Sequence, residues 1–140
     1  MQDAAASILC VDDDSLYLSS IARLLGRKGY RVIPCENAAR ALQAFESLPR
    51  DHPDLAIVDV MMPGTDGLDL TRRIRSLTKD RIPVVLLSAV GGDAAIRRGY
   101  DSGACLYLTK PCSPEMVLEV VDRVLRSKPS APAAPPPSPG

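Results

Sequence analysis

Asp12, Asp13, Asp59 and Lys110 each stand at the end of a short apolar run, and together they have the chemistry to hold a phosphoryl group. Asp12 and Asp13 follow Ser7-Ile8-Leu9-Cys10-Val11, Asp59 follows Leu55-Ala56-Ile57-Val58, and Lys110 follows Cys105-Leu106-Tyr107-Leu108-Thr109. A carboxylate at an exposed sheet edge can act as a nucleophile and form an acyl phosphate. Crowded carboxylates repel, and a hard cation such as Mg2+ relieves the repulsion while taking oxygens from carboxylates, phosphate and water. An ammonium on a long stem supplies a second positive charge within reach of a phosphoryl oxygen. Ser88 closes a further run, Pro83-Val84-Val85-Leu86-Leu87, where its hydroxyl can hydrogen-bond the same group beside the small Ala89. Taken singly, each residue has a plainer role. Asp59 reads as a helix cap or loop aspartate, and Asp12-Asp13-Asp14 as a cap that complements a helix dipole. Ser88 alone reads as a cap, and Lys110 as a solvated lysine. Their common position at the ends of similar runs favours the chemistry.

Those runs are the elements that must position the site. Short, continuous apolar runs are the mark of strands buried on both faces. The pattern predicts strands over 7–11, 31–34, 54–58, 83–87 and 105–108, with helical periodicity between them. Leu16, Leu18, Ile21, Leu24 and Leu25 give the first helix one apolar face, and Gly29 ends it. Ala38, Ala41, Leu42, Phe45 and Leu48 give the second, with Asn37 as N-cap and Pro49 as a stop. Leu68, Leu70, Ile74 and Leu77 mark the third, preceded by a loop in which Pro63, Gly64 and Gly67 oppose regular structure. The fourth, over 92–102, is weakened by Gly91, Gly92 and Gly99, which suggests mobility. In the fifth, Ser113 caps, Pro114 suits the first turn, and Met116, Val117, Val120, Val121, Val124 and Leu125 form the stripe. Alternation of this kind builds βαβ units and a parallel sheet, here a (βα)5 three-layer α/β/α sandwich. In such a sheet every C-terminal strand end lies on one edge, where ligands bind.

The chain has 140 residues, with 17 Lys plus Arg against 17 Asp plus Glu. Zero formal net charge gives no bulk electrostatic reason for nucleic-acid binding. No apolar stretch approaches the roughly 20 residues that span a bilayer. The N-terminal Met1-Gln2-Asp3-Ala4-Ala5-Ala6 lacks the basic and apolar regions of a signal peptide, so a cytoplasmic location is expected. Cys10, Cys35, Cys105 and Cys112 show no CxxC spacing and read as reduced structural thiols. His52 has no neighbours at zinc-ligand spacing. Residues 1–128 read as one domain, and 129–140 as a Pro/Ala-rich disordered tail or linker, semi-rigid where it is extended polyproline. A docking motif for a polyproline-binding partner is the less favoured reading of that tail.

Four blocks now stand in register: Val11-Asp12-Asp13-Asp14, Asp59-Val60-Met61-Met62-Pro63-Gly64-Thr65-Asp66-Gly67, Leu87-Ser88-Ala89 and Thr109-Lys110-Pro111. In order and separation they resemble the response-regulator receiver domain, over roughly residues 7–127. The resemblance implies a flavodoxin-like fold with strand order 2-1-3-4-5. It implies that Asp59 accepts a phosphoryl group from the phosphohistidine of a sensor histidine kinase or a histidine phosphotransfer protein. It implies Mg2+ as cofactor, held by Asp13, Asp59 and the Met61 backbone carbonyl, with Asp12 acting mainly through metal-bound water. Ser88 and Lys110 would contact the phosphoryl group. Ser88 and Tyr107 would form the switch that alters the surface of the fourth helix, fifth strand and fifth helix. The signal would pass to an output domain in a longer chain or to a separate target protein, with no direct nucleic-acid or membrane contact. Such a protein is a signalling switch and not a turnover enzyme; it catalyses only its own phosphorylation and autodephosphorylation.

The pattern departs from the family at two points. Cys105-Leu106 replaces the acidic pair common before the switch aromatic in DNA-binding members, and Cys112 stands where an aromatic is frequent. The first change weighs against the salt-bridged form of a phosphorylation-dependent homodimer and leaves Leu106 for a different partner surface. The alternative within the fold is a receiver-like interaction module that takes no phosphate, which the full set of site residues opposes. A haloacid-dehalogenase-like phosphatase fits the Asp12–Asp14 spacing but has Leu16 in place of Thr or Val and leaves Asp59 without a role. A flavodoxin needs a phosphate-cradling loop where this chain has three aspartates, and no P-loop is present.

Overall fold

The computed structural model describes residues 6–47, 52–62 and 64–127. Five parallel strands form one sheet: β1 (Ser7–Val11), β2 (Arg31–Cys35), β3 (Leu55–Asp59), β4 (Val84–Ser88) and β5 (Leu106–Thr109). Their spatial order is β2-β1-β3-β4-β5, as the resemblance implies. The helices are α1 (Ser15–Arg27), α2 (Ala38–Ser47), α3 (Gly67–Leu77), α4 (Asp93–Asp101) and α5 (Pro114–Ser127).

Strand side chains alternate, so each central strand feeds two cores. Ile8, Cys10, Leu55, Ile57, Val85 and Leu87 point to one face, where Leu18, Ile21 and Leu25 of α1 and Val117 and Val121 of α5 cover them. Leu9, Val11, Ala56, Val58, Val84 and Leu86 point to the other, under Ala41 and Phe45 of α2 and Leu68, Leu70 and Ile74 of α3. β3 and β4 are buried along their whole length, which is why they read as unbroken apolar runs.

Several expectations shift in detail. Pairing extends through Asp59↔Leu87 and Ser88↔Thr109, so Asp59 and Ser88 are the last residues of their strands, not the first residues of loops. Cys105 falls outside β5 and is exposed. Leu106 is half-buried and packs on the core beside α5. Leu16, Leu77 and Met116 are apolar but 81%, 51% and 47% exposed, so the apolar stripes of α1, α3 and α5 are narrower than composition suggests. The segment after Asp59 is not all loop. Met61–Met62 pairs antiparallel with Thr65–Asp66, and Gly67 already begins α3. Asp66 caps that helix by accepting from the Leu68 amide at 2.9 Å. Asn37 and Ser113 cap as expected, accepting from Arg40 and Met116. Leu48, Pro49, Pro63 and the tail at 129–140 lie outside the described residues.

Candidate functional site

The three aspartates after β1 divide the work between fold and site. Asp14 caps α1, its Oδ1 accepting from the amides of Leu16 and Tyr17 at 3.1 and 3.2 Å. Asp13 is exposed, while Asp12 is only 4% exposed and turns inward, its Oδ1 held by the Asp14 amide at 2.9 Å. Asp59, at the end of β3, is 5% exposed, and its Oδ1 accepts from the Met61 amide at 3.1 Å. Carboxylate oxygens of Asp12, Asp13 and Asp59 come within 4.8 Å of one another.

Lys110 enters from the end of β5. Its Nζ lies 2.8 Å from Asp12 Oδ2 and 3.5 Å from Asp59 Oδ2. The Lys110–Pro111 peptide is cis, and the Lys110 amide donates to the Ser88 carbonyl at 2.7 Å, which ties the two strand ends together. Ser88 is fully buried, and its Oγ accepts from the Val90 amide at 3.0 Å. The four blocks therefore meet at one sheet edge.

Burial, then the neighbouring Asp12 charge, pushes the Asp59 carboxyl up to about 6, against the pull of the Lys110 ammonium and the Met61 amide. Burial works against the Lys110 ammonium, but the hydrogen bond and charge of Asp12, with Asp59 behind it, push its pKa up. One ammonium thus does not cancel the repulsion between the carboxylates. Hard oxygen donors in mutual repulsion, without thiolate or imidazole among them, are a donor set that suits Mg2+.

Gly67 is required where the hairpin meets α3. A Cβ there would stand 2.2 Å from the Asp59 carbonyl oxygen and 2.7 Å from Val60 Cα. Its amide donates to the Val60 carbonyl at 3.0 Å, so the start of α3 braces the backbone that carries Asp59.

Tyr107 is half-buried, and its hydroxyl donates to the Val90 carbonyl at 2.6 Å. Val90 is thus held by Ser88 through its amide and by Tyr107 through its carbonyl. The Tyr107 ring occupies the space left by Gly99 of α4, where a Cβ would stand 2.5 Å from Tyr107 Cδ2. Gly99 weakens helix propensity for a packing reason that the residue alone does not reveal. Sequence reasoning also missed Tyr17, which lies against Lys110, because nothing local distinguishes it from any half-buried helix residue.

An open cavity of about 680 Å³ adjoins the site, lined by Asp13, Val60, Met61, Met62, Asp66, Leu68 and Arg98. Among the described residues, no helix is long and apolar enough to cross a membrane.

The response regulator receiver domain model matches residues 8–122. Response regulator MprA of Mycobacterium leprae is 40% identical over 119 residues, which are 85% of this chain and 50% of MprA. Response regulator DrrB, a Thermotoga maritima OmpR/PhoB homolog, superposes with a TM-score of 0.77 at 28% identity, covering 87% of this chain and 53% of DrrB. A Burkholderia pseudomallei response regulator, solved with a phosphorylated aspartic acid, superposes with a TM-score of 0.72 at 25% identity over 87% of this chain and 75% of its own. The chain spans about half the length of the curated relatives it matches. With the family's motifs gathered at one sheet edge of the family's fold, this chain belongs to the response regulator receiver domains, the signal-receiving modules of phosphorelays.

Proposed function

We propose that Asp59 is the phosphoacceptor of a phosphorelay. The carrying observation is a carboxylate at the end of a buried strand, 3.5 Å from an ammonium and gathered with two further carboxylates. With its carboxyl pushed up only to about 6, Asp59 is largely ionised at pH 7 and nucleophilic. An Asp59 oxygen bonds to phosphorus as the P–N bond of a phosphohistidine breaks, and the electron pair leaves with the imidazole nitrogen. Lys110 Nζ stabilises the charge on the phosphoryl oxygens, and the Ser88 hydroxyl donates to one of them. Asp13, Asp59 and the Met61 carbonyl would hold Mg2+, with Asp12 acting mainly through its bound water, and the ion would supply charge neutralisation for the entering group. The phosphorylated aspartic acid of the Burkholderia pseudomallei neighbour supports this reading.

The response follows from the Val90 link. To donate to a phosphoryl oxygen the Ser88 side chain must swing toward Asp59, which pulls its Oγ away from the Val90 amide that it accepts from, and the Val90 carbonyl is also the Tyr107 acceptor. Ser88 and Tyr107 therefore move together, and the α4–β5–α5 surface changes with them, a local charge event that biases a two-state packing element. The donor is a cytoplasmic histidine kinase or histidine phosphotransfer protein. The recipient is an output domain beyond a linker at 129–140, a separate target, or a second copy of the receiver. The chain catalyses only its own phosphorylation and autodephosphorylation.

Intact mass tests the reading. After incubation with acetyl phosphate and Mg2+, one phosphoryl mass is gained by the chain, and none by Asp59→Asn or without the metal. No gain with acetyl phosphate, phosphoramidate and a histidine kinase in turn would refute it.

A further inference from the structure

Tyr17 lies in the first turn of α1, and its ring face is 4.7 Å from Lys110 Nζ. Its hydroxyl donates to the Cys112 carbonyl at 2.6 Å. One side chain on α1 thus touches the segment from β5 to α5 on both sides of Pro111. Burial pushes the phenol up to about 12, so at neutral pH it is an uncharged hydrogen-bond donor.

The Lys110 ammonium has Asp12 Oδ2 at 2.8 Å, Asp59 Oδ2 at 3.5 Å and the Tyr17 face on a third side. A lysine is a point charge on a flexible stem, and two carboxylates on one side leave it free to swing toward either. An aromatic face attracts a cation through its quadrupole without carrying charge. It restrains the ammonium without neutralising it, whereas a further carboxylate there would compete with an incoming phosphoryl group. We propose that Tyr17 is a positioning residue for Lys110: its ring holds the ammonium beside Asp59, and its hydroxyl anchors the loop that carries the lysine. The catalytic consequence rests on Asp59 being the phosphoacceptor; the placement of Lys110 does not.

The test uses the full chain, Tyr17→Phe, and two aliphatic variants, Tyr17→Leu and Tyr17→Met, so that a folding failure in one leaves the other. Phosphoryl uptake is followed by intact mass against acetyl phosphate concentration with Mg2+ present. The strength of such a contact predicts that the aliphatic variants lose roughly 3- to 30-fold in maximal rate with little change in half-saturation. Tyr17→Phe, which keeps the ring and loses only the bond to the Cys112 carbonyl, stays closer to the parent than either aliphatic variant. Aliphatic variants as fast as the parent, or a Phe variant as slow as they are, would overturn the assignment to the ring. A second readout needs no phosphoryl donor. In carbon-resolved NMR, the Lys110 Cε protons are shifted upfield by the ring in the parent and in Tyr17→Phe, and return to ordinary positions in Tyr17→Leu. Ordinary positions in the parent would overturn the proposal. A parent that takes no phosphoryl group yet shows the shift would sink the phosphoacceptor reading and leave Tyr17 as the residue that places Lys110.

Discussion

Removing the Asp59 charge should stabilise the metal-free receiver at neutral pH, by an amount that the site itself sets. Asp59 is 5% exposed, and its carboxyl is pushed from 3.8 up to about 6, first by burial and then by Asp12. A carboxyl whose folded pKa lies above its unfolded one favours folding fully only below the unfolded value. That contribution is lost as pH rises, because the unfolded chain ionises near 3.8 while the folded chain holds its proton until about 6. At 1.36 kcal/mol per pKa unit the full loss is about 3 kcal/mol, most of it between pH 4 and pH 7. Asp59→Asn does not titrate, so the difference in unfolding free energy between variant and parent cancels the groups remote from the site and leaves Asp59 together with the charges coupled to it. Urea unfolding in EDTA should show the variant gaining on the parent by roughly 2–3 kcal/mol from pH 4 to pH 7, then a plateau. In thermal melts this is a relative gain of roughly 5–10 °C. Repeating the pH 7 measurement in Mg2+ should narrow the gap, because an ion that binds the folded parent stabilises it by mass action. A difference flat with pH to within about 0.5 kcal/mol, or one that moves against the variant as pH rises, would refute the claim that burial and Asp12 strain Asp59.

Other substitutions probe the support of the site. Gly67→Ala drives a Cβ to 2.2 Å from the Asp59 carbonyl oxygen, and the overpacking should cost about 1–3 kcal/mol in urea unfolding and slow phosphoryl uptake. Gly99→Ala gains about 1 kcal/mol of helix propensity but meets Tyr107 Cδ2 at 2.5 Å, so a net loss of about 1 kcal/mol is expected, with a changed near-UV tyrosine signal. A net gain with that signal unchanged would mean that the ring does not need the space. Asp14→Ala strips the cap from α1 and should cost about 1 kcal/mol in a melt, with Asp59 still able to take up a phosphoryl group.

Most of the frame was legible because two-sided burial writes itself into sequence. Ile57 and Leu86 face opposite cores and both are apolar, so β3 and β4 stand out as runs, and a charged or hydroxyl residue marks where each run stops. The hairpin was not legible. Two-residue strands carry no periodicity, and glycines on either side of Thr65 and Asp66 read as loop. Leu16 and Met116 misled because an apolar residue on an otherwise correct helix need not lie on its inner face; at 81% and 47% exposure both stand at the site end of the molecule. Gly99 and Tyr17 were opaque for a different reason. Their partners, Tyr107 within β5 and Lys110 just past it, lie outside the helices that carry Gly99 and Tyr17, and only the assembled sheet sets the distance.

The contact between Lys110 and Asp12 joins positions 98 residues apart, and that between Tyr17 and Cys112 positions 95 apart. Tyr30, just beyond α1, adds a hydrogen bond to Asp122 of α5. Contacts of such long range close large loops, and their entropy is lost before they return any stabilisation, which slows folding. During synthesis Asp12 and Asp59 leave the ribosome well ahead of Lys110. A nascent or truncated chain that stops short of β5 has Asp12, Asp59 and Tyr17 but not the lysine that all three face. In this receiver the site is complete only once β5 has joined the sheet.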